Sequence, residues 1–307
     1  MTATRSPQRP RVAFIGLGAI GAPIAHHVAQ KTTLAVWNRT RAVAAEFASE
    51  TGASDAESPG SAAAGVDFLL TCLPTSAQVE EVLFGVNGAA PSLESGAMVI
   101  DCTSGDPATS RKIAARLARS GVAFIDAPVS GGVSGAVAGQ LTVMVGGDAG
   151  ALERARPILE TFAGKIVHCG AIGAGDAVKA VNNALLAVHV WSTAEGLAAL
   201  SKLGVDPAVA LDVINSSSGR SNTSMNLFPE RVLNRSFPRT FRLALLDKDV
   251  GIAAGIARDT GTPAPLLDET SRLFAEARRE LGEEADHIEA VKVVERRAGT
   301  TIGGRIQ

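Results

Sequence analysis

The sequence contains no tyrosine, and only 4% of its 307 residues are aromatic. A hydrophobic core must therefore rely on Ala, Val, Leu and Ile. Cysteine is also scarce: Cys72, Cys102 and Cys169 are isolated, form no CxxC motif and have no histidine pair at metal-binding spacing. This pattern excludes a disulfide scaffold and a zinc site, and it favours buried, unreactive thiols in a reducing cytoplasm.

Strong charge and long apolar runs are missing as well. The net charge of −2 offers no basic surface for nucleic acid. No apolar run reaches about 18 residues, so we expect no membrane span. Residues 1–10 lack the apolar segment of a signal peptide and are expected to form a disordered tail. The five histidines show no ligand or triad spacing, so we expect structural roles for them and no metal site.

What the sequence does contain, over residues 11–171, is a repeated alternation of apolar strands and amphipathic helices. Such alternation predicts a largely parallel, doubly wound sheet with helices on both faces, the α/β Rossmann architecture. The predicted strands are 11–15, 34–37, 66–73, 97–101, 122–126, 141–145 and 165–168, and the predicted helices between the later strands are 40–49, 76–84, 107–119 and 149–162.

The pattern changes after residue 171, where strand-like alternation stops. Residues 172–307 are therefore expected to form an all-α C-terminal domain, with helices at 176–203, 208–214, 241–257, 265–281 and 286–296. The polar stretch 215–222 is either a plain connection or a loop facing the substrate.

The first predicted strand runs directly into Gly16-Leu17-Gly18-Ala19-Ile20-Gly21, which opens a helix. In the dinucleotide fingerprint, the first glycine permits the tight turn, the second lets the backbone approach a pyrophosphate, and the third lets helix and strand pack closely. The helix start adds N–H groups and a partial positive charge. We therefore expect a dinucleotide on residues 16–20.

The end of the second strand bears on which dinucleotide binds. An NAD site usually carries an acidic residue there, which binds the ribose 2′-hydroxyl. This chain has Asn38-Arg39-Thr40 instead, and a guanidinium can hold a 2′-phosphate with bidentate hydrogen bonds. The segment predicts NADP(H) in preference to NAD(H), unless Arg39 is simply a solvated residue after a strand.

Polar residues inside the long apolar helix are candidates for catalysis. Lys179 and Asn183 are four residues apart and share one helical face. A lysine among apolar neighbours is a competent proton donor or acceptor near neutral pH, because burial disfavours its charged form. Asn183 could orient a substrate hydroxyl or carbonyl. The alternative is a lysine whose ammonium reaches solvent beside a polar helix start.

Two further segments carry possible ligands. Ser130-Gly131-Gly132 follows a strand, and its backbone N–H groups would suit a carboxylate, although an ordinary glycine-rich turn has the same composition. Lys248 lies in a charged triplet within an apolar helix. It either belongs to a solvated turn or reaches the cofactor.

Four motifs, at residues 16–21, 126–132, 173–183 and 248–249, resemble in order and spacing those of the β-hydroxyacid dehydrogenase family, the group of 3-hydroxyisobutyrate dehydrogenase and tartronate semialdehyde reductase. The resemblance covers residues 11–297 and implies oxidation of a small β-hydroxy acid, or reduction of its semialdehyde, by a homodimer or homotetramer assembled through the helical domain. It implies that Lys179 is catalytic, that Asn183 assists substrate binding and that residues 130–132 hold the substrate carboxylate. It places Leu73, Pro74, Thr103 and Ser104 beside the nicotinamide, with Lys248 contributing from the helical domain.

Two other functions remain open from the sequence. Imine reductases use a similar scaffold but usually replace the lysine, and a non-catalytic NADP-binding module would not need the pair Lys179 and Asn183. The substrate among small hydroxy acids and aldehydes is not determined by these motifs.

Overall fold

The computed structural model describes residues 9–303. The chain divides into two compact units, the first ending at Lys179 and the second beginning at Ala180. The division falls inside one continuous helix, whereas the change of sequence pattern that predicts the domain boundary lies at residue 172. Of the predicted tail, residues 1–8 lie outside the described part, and the Pro10 carbonyl accepts a hydrogen bond from the Thr33 N–H at 2.9 Å.

The first unit is built around a mixed β-sheet. Its strands are β1 (Arg11–Ile15), β2 (Thr33–Trp37), β3 (Ser54–Asp55), β4 (Phe68–Thr71), β5 (Met98–Asp101), β6 (Ala123–Asp126), β7 (Val129–Ser130), β8 (Leu141–Gly146) and β9 (Ala163–Gly170). Its helices are α1 (Gly21–Ala29), α2 (Arg41–Thr51), α3 (Pro59–Ala63), α4 (Ser76–Phe84), α5 (Pro107–Ala118), α6 (Gly132–Val137) and α7 (Ala149–Leu159), with a 3₁₀ turn at Ala90–Ser92.

Strand order explains where ligands can bind. The order is β3-β2-β1-β4-β5-β6-β8-β7, with β9 pairing with β8. The strands from β3 to β6 are parallel, and β8 runs antiparallel to both β6 and β7. Order reverses beside β1, which is the switch point at which open α/β sheets bind ligands beyond the carboxyl ends of their strands.

Both faces of the sheet are buried, which is why its central strands are apolar throughout. Phe14 and Ile100 belong to the core on one face, whereas Ile15 and Val99 belong to the core on the other. Helices cover both faces, as parallel sheets require. The predicted Rossmann fold of this part is therefore confirmed, with the antiparallel β8 as an addition that alternation alone did not indicate.

Helices make up the second unit, together with the end of the first. They are α8 (Ala174–Lys202), α9 (Pro207–Asn215), a π-helical segment (Thr223–Leu233), α10 (Leu243–Asp259), α11 (Pro265–Leu281), a 3₁₀ turn (His287–Glu289) and α12 (Ala290–Ala298). Their shared hydrophobic core includes the aromatic side chains of Trp191, Phe228 and Phe274. The predicted all-α character is confirmed. The π-helical segment was not predicted.

Helix α8 is long and apolar enough to cross a membrane by length and composition. Core helices of soluble proteins meet the same criterion, and residues of α8 from Ala180 to Ala198 contribute to the core of the second unit.

Candidate active site

The glycine fingerprint forms the turn between β1 and α1. Gly16 has φ +102°, and its N–H donates to the Trp37 carbonyl at 3.0 Å. A Cβ on Gly16 would lie 2.4 Å from the Cys72 carbonyl oxygen, and one on Gly21 would lie 2.0 Å from the Gly16 carbonyl oxygen. Neither position can carry a side chain without displacing backbone.

Gly18 differs from both, because a Cβ there would meet no atom within 4 Å. The helix that follows begins at Gly21, and its N-cap residue, Ile20, provides no side-chain hydrogen bond. Open space beside an uncapped helix start suits the pyrophosphate of a dinucleotide. The first unit thus fits the group that its sequence predicts, with Leu17, Ala19 and Ile20 in the same turn.

The segment after β2 is tied to this turn. Asn38 accepts a hydrogen bond from the Leu17 N–H through Oδ1 at 3.1 Å, and its Nδ2 donates to the Thr40 carbonyl at 3.1 Å. Arg39 and Thr40 are exposed. The asparagine therefore holds the fingerprint turn, and the guanidinium of Arg39 stands in solvent next to it in sequence.

The two segments predicted beside the nicotinamide contact each other. The Leu73 N–H donates to Thr103 Oγ1 at 3.0 Å. The Thr103 N–H donates in turn to Asp101 Oδ1 at 3.0 Å, and the same oxygen accepts from Thr71 Oγ at 2.8 Å. One buried carboxylate and one buried hydroxyl thus fix the relative position of the segments after β4 and β5, which include Pro74 and Ser104.

A second pair of carboxylates holds the first turn of α8. Asp126 at the end of β6 accepts from the N–H groups of Gly173 at 2.7 Å and Asp176 at 3.0 Å. Asp176 accepts from the Gly105 N–H at 2.9 Å and from Ser110 Oγ at 2.6 Å. Burial raises the pKa of Asp126, and burial followed by the nearby charges of Asp126 and Asp101 raises the pKa of Asp176 well above its usual value.

The glycine-rich segment after β7 has an unusual backbone. Gly131 and Gly132 have φ +136° and +65°, and both are exposed, beside the half-buried Ser130. A Cβ on Gly132 would meet no atom within 4 Å. Glycines in such a turn let successive backbone N–H groups form a concave site, which suits a small anion such as a carboxylate.

Lys179 and Asn183 lie one turn apart on α8. Their exposed fractions are 8% and 4%, so neither is a solvated residue of a polar stripe. The neighbouring Val178, Val181 and Leu185 are exposed instead. The polar pair therefore faces inward, which favours the functional interpretation over a lysine directed to solvent.

In the second unit, Asn183 belongs to a chain of polar side chains. Its Nδ2 donates to Asp249 Oδ2 at 2.6 Å, and its Oδ1 accepts from Asn182 Nδ2 at 3.1 Å. Lys248 pairs with the other oxygen of Asp249 at 2.8 Å. These contacts fix the orientation of the Asn183 amide and leave one amide hydrogen for a ligand.

Comparison with known proteins supports an assignment to one family. Residues 11–170 match the family described as the NAD binding domain of 6-phosphogluconate dehydrogenase, and residues 173–294 match the NAD-binding family of NADP-dependent 3-hydroxyisobutyrate dehydrogenase. The chain is similar to 2-(hydroxymethyl)glutarate dehydrogenase of Eubacterium barkeri, with 34% identity over 96% of this chain and 98% of that protein. The chain belongs to the β-hydroxyacid dehydrogenase family.

A solved structure and a second relative agree with this assignment. The structure of Mycobacterium tuberculosis 3-hydroxyisobutyrate dehydrogenase with L-serine superimposes with a TM-score of 0.85 at 32% identity, covering 94% of this chain and 99% of that one. NAD-dependent L-serine dehydrogenase of Pseudomonas aeruginosa is 36% identical over 83% of this chain and 88% of its own length. The predicted enzyme class, an NAD(P)-dependent oxidoreductase acting on the CH–OH group of hydroxy acids, is confirmed.

The cysteines of this β-hydroxyacid dehydrogenase are unpaired. Burial, with a smaller contribution from Asp101, raises the pKa of Cys72 to about 12. Burial also raises the pKa of Cys102 well above its ordinary value. Thiols with such pKa values carry almost no thiolate at neutral pH, so neither is a nucleophile.

Sequence reasoning missed two residues of this dehydrogenase, Asp101 and Asp176. Each is at most 1% exposed and accepts hydrogen bonds from a segment predicted to contact the cofactor. Asp101 is the last residue of β5, after three apolar residues. Asp176 lies in the first turn of α8, where aspartate is common because it interacts favourably with the helix dipole. Only the tertiary contacts identify them.

Proposed function

We propose that this dehydrogenase interconverts 3-hydroxy acids of the form HO–CH₂–CH(R)–COO⁻ and their semialdehydes, with NADP(H) preferred over NAD(H). The observation that carries the proposal is the inward-facing pair on α8, Lys179 at 8% and Asn183 at 4% exposure. A lysine so placed in a β-hydroxyacid dehydrogenase is suited to proton transfer to and from a substrate oxygen.

The substrate class follows from what three relatives are named for. These relatives are named for or bound to 3-hydroxyisobutyrate, L-serine and 2-(hydroxymethyl)glutarate. In each acid, a CH₂OH group is attached to the carbon that bears the carboxylate. They differ only in the substituent R, which is a methyl group, an ammonium group or a carboxyethyl group. The shared part requires one carboxylate site and one proton acceptor, and this chain has residues suited to each.

We assign carboxylate binding to the backbone and hydroxyl of residues 130–132, and proton transfer to Lys179. In the oxidation, a C–H bond of the carbinol breaks and its electron pair leaves with the hydrogen, while the hydroxyl proton passes to the Lys179 amine. In the reduction, the Lys179 ammonium returns the proton to the carbonyl oxygen. Asn183 donates its remaining amide hydrogen to the same oxygen. Bound nicotinamide supplies C4 as the hydride acceptor or donor.

The preference for NADP(H) rests on Arg39 and on the absence of an acidic residue at the end of β2. Arg39 and Thr40 are assigned to the 2′-phosphate, and Asn38 holds the turn beneath them. Leu73, Pro74, Thr103 and Ser104 are assigned to the nicotinamide side. Lys248 is assigned to the cofactor phosphates. One relative is named NAD-dependent and the family of the second half is described as NADP-dependent, so the experiment must compare both cofactors.

Substitution of the lysine tests the mechanism. Lys179→Met keeps the length of the side chain and removes the amine, and we expect kcat to fall about 10³-fold, within the usual range for general acid–base catalysis. Binding of NADPH, measured by fluorescence titration, should change little. Lys202→Met is the control, because it makes the same exchange at an exposed lysine at the other end of α8. A folded Lys179→Met enzyme with near-normal turnover would contradict the mechanism.

A steady-state screen tests the substrate class and the cofactor. The three acids named above, glyoxylate and succinic semialdehyde should be assayed with both cofactors. Arg39→Ala should lower kcat/KM for NADP⁺ by about tenfold or more, the loss of one charge-assisted contact, and leave the value for NAD⁺ nearly unchanged. A strong NAD⁺ preference of the native enzyme would refute the assignment of Arg39.

Two further features complete the proposal. We expect a homodimer or homotetramer formed through the helical unit, because Val209 and Val213 share one face of α9 and are each 60% exposed. Its unpaired thiols are compatible with the reducing cytoplasm, where we place the enzyme. Sedimentation and cell fractionation test these two assignments.

A further inference from the structure

The start of α8 is held more tightly than a helix start requires. The Asp126 carboxylate accepts from the N–H groups of Gly173 and Asp176, one on each oxygen. A carboxylate at the positive end of a helix dipole already stabilises the N-terminus. The side chain of Asp176 takes no part in this cap and is free to serve another purpose.

Asp176 instead joins α8 to the segment after β5. Its Oδ1 accepts from the Gly105 N–H at 2.9 Å, and its Oδ2 accepts from Ser110 Oγ at 2.6 Å. Gly105 lies two residues after Thr103, in the segment assigned to the nicotinamide side. Ser110 lies in the first turns of α5. One side chain therefore connects the helix of Lys179 with the loop that carries Thr103 and Ser104.

The packing around this connection leaves little slack. A Cβ on Gly105 would lie 3.0 Å from Ser76 Oγ and 3.1 Å from an oxygen of Asp176. A Cβ on Gly175 would lie 2.2 Å from the Met144 carbonyl oxygen. Glycine at both positions lets the backbone approach closely, so the carboxylate sets a fixed separation between helix and loop.

The connection also has an energetic cost. Asp176 is 1% exposed, and the carboxylates of Asp126 and Asp101 act on it. Buried like charges destabilise a fold unless their hydrogen bonds compensate. A neutral side chain at this position would avoid that repulsion, so the carboxylate calls for a role beyond stability.

We propose that Asp176 is a positioning residue for hydride transfer, which fixes the first turn of α8, and with it Lys179, relative to the nicotinamide segment Thr103–Gly105. The proposal rests on the proposed function of Lys179. Lys179 follows Asp176 by three residues on a continuous helix, so a shift of the first turn moves its amine by a similar distance. A misplacement of about 1 Å can cost about 10²-fold in rate.

The test compares two substitutions of Asp176. Asp176→Ala removes both contacts, and kcat for NADP⁺-dependent oxidation of 3-hydroxyisobutyrate, or of the most active acid in the screen, should fall about 10²-fold. Asp176→Asn should restore kcat to within about tenfold of the native value, since its amide oxygen still accepts from Gly105 and its amide nitrogen can donate to Ser110 Oγ. The dissociation constant for NADPH should change less than about threefold in both variants, because Asp176 does not belong to the fingerprint.

Two controls separate positioning from general damage. Asp148→Ala removes another carboxylate of the first unit that accepts from two backbone N–H groups, those of Gly150 and Ala151, and should leave kcat unchanged. Ser110→Ala removes only the Oδ2 partner of Asp176. It should lower kcat about threefold to tenfold, the value of about one hydrogen bond, and it decides the question if Asp176→Ala does not fold.

The outcomes are distinct. Native kcat in folded Asp176→Ala, or in Ser110→Ala, would overturn the positioning role, as would failure of Asp176→Asn to restore activity. If the positioning role is overturned in this way but Lys179→Met is inactive, the proposed function of Lys179 still stands. If Lys179→Met turns over normally, the proposed function itself fails.

Discussion

The two units of the chain hold their polar site residues in different ways. In the first unit, buried carboxylates accept from backbone N–H groups: Asp101 from Thr103, and Asp126 from Gly173. In the second unit, side chains pair with side chains, as Asn183 does with Asp249 and Lys248 with the same carboxylate. The first arrangement fixes loops, whereas the second fixes individual side chains.

This difference suggests a division of labour. A cofactor shared by many dehydrogenases needs loops of constant shape, which backbone contacts provide. A substrate that varies in its R group needs side chains that can be exchanged without moving the backbone. Substitutions should therefore have different consequences in the two units, and three matched pairs of substitutions test this comparison.

The largest effect on the free energy of unfolding is expected from replacing one glycine with alanine, which adds a single methyl group. Gly21→Ala in the first unit places a Cβ 2.0 Å from the Gly16 carbonyl oxygen, so backbone must move. We expect a loss of about 3 kcal/mol or more in the free energy of unfolding, at the upper end of overpacking. Urea denaturation followed by circular dichroism measures it.

The matched substitution in the second unit is Gly251→Ala in α10. A Cβ there meets no atom within 4 Å, so replacing a helical glycine should stabilise the protein by up to about 1 kcal/mol. Equal effects of the two substitutions would show that backbone proximity does not distinguish the units.

The glycine turn is also the part of the site that the sequence predicts best. Its chemistry is local, because the turn, the helix start and the end of β2 all lie within residues 11–40. Lys179 and Asn183 could be selected as candidates because polar residues stand out in an apolar helical run. The helices α4 and α11 were predicted with their observed bounds for the same reason, a clear period and clear ends.

Other parts could not be found in this way. The short elements β3, α3, β7 and α6 have two to six residues each, too few for a period to show. The antiparallel direction of β8 follows from its link to β7 through residues 131–140, which is shorter than the dozen or so residues of a parallel crossover. Asp176 acquires meaning from Gly105, 71 residues away, and Asp101 joins the nearby Thr103 to Thr71, 30 residues away.

The second effect concerns pH and contrasts one carboxylate from each unit. Burial, partly offset by hydrogen bonds from Thr103 and Thr71, raises the pKa of Asp101 from 3.8 to about 6. The folded protein keeps a proton that the unfolded chain releases, so this group's contribution to stability is present below pH 4 and is lost as the pH rises to 6. At 1.36 kcal/mol per pKa unit, the loss is about 3 kcal/mol.

Asp101→Asn removes this pH dependence. Relative to the native protein, its free energy of unfolding should increase by about 3 kcal/mol between pH 4 and pH 7, measured by urea denaturation at each pH. Burial also acts to raise the pKa of Asp286 in the second unit, but His287 and the N–H groups of Phe241 and Thr240 outweigh it and hold the pKa well below its usual value.

Asp286→Asn is therefore the control, because Asp286 stays ionised in both folded and unfolded chains above pH 5. Its effect on stability should be destabilising and nearly constant from pH 5 to pH 7. A constant difference for Asp101→Asn over the same range would mean that Asp101 is ionised in the folded protein at all these pH values. The contrast between the two carboxylates would then fail.

The smallest effect on stability, and the most specific effect on function, is expected from Asp249. Asp249→Ala leaves the Asn183 amide without its acceptor and removes the ion pair of Lys248, at a cost of about 1–3 kcal/mol for a buried group. Because Asn183 is then free to rotate, KM for the acid should rise and kcat should fall, about tenfold together in kcat/KM, the value of roughly one hydrogen bond. The dissociation constant for NADPH should change less than KM for the acid, since the fingerprint turn is held by its own backbone and Lys248 keeps its charge when its ion pair is lost. Asp247→Asn, two residues away, breaks only a partly exposed pair with Arg278 and should leave both constants unaltered. If Asp249→Ala instead weakened NADPH binding as much as it raised KM for the acid, the side chains of the second unit would matter as much for the cofactor as for the substrate, and the two units would not differ in the way that the comparison requires.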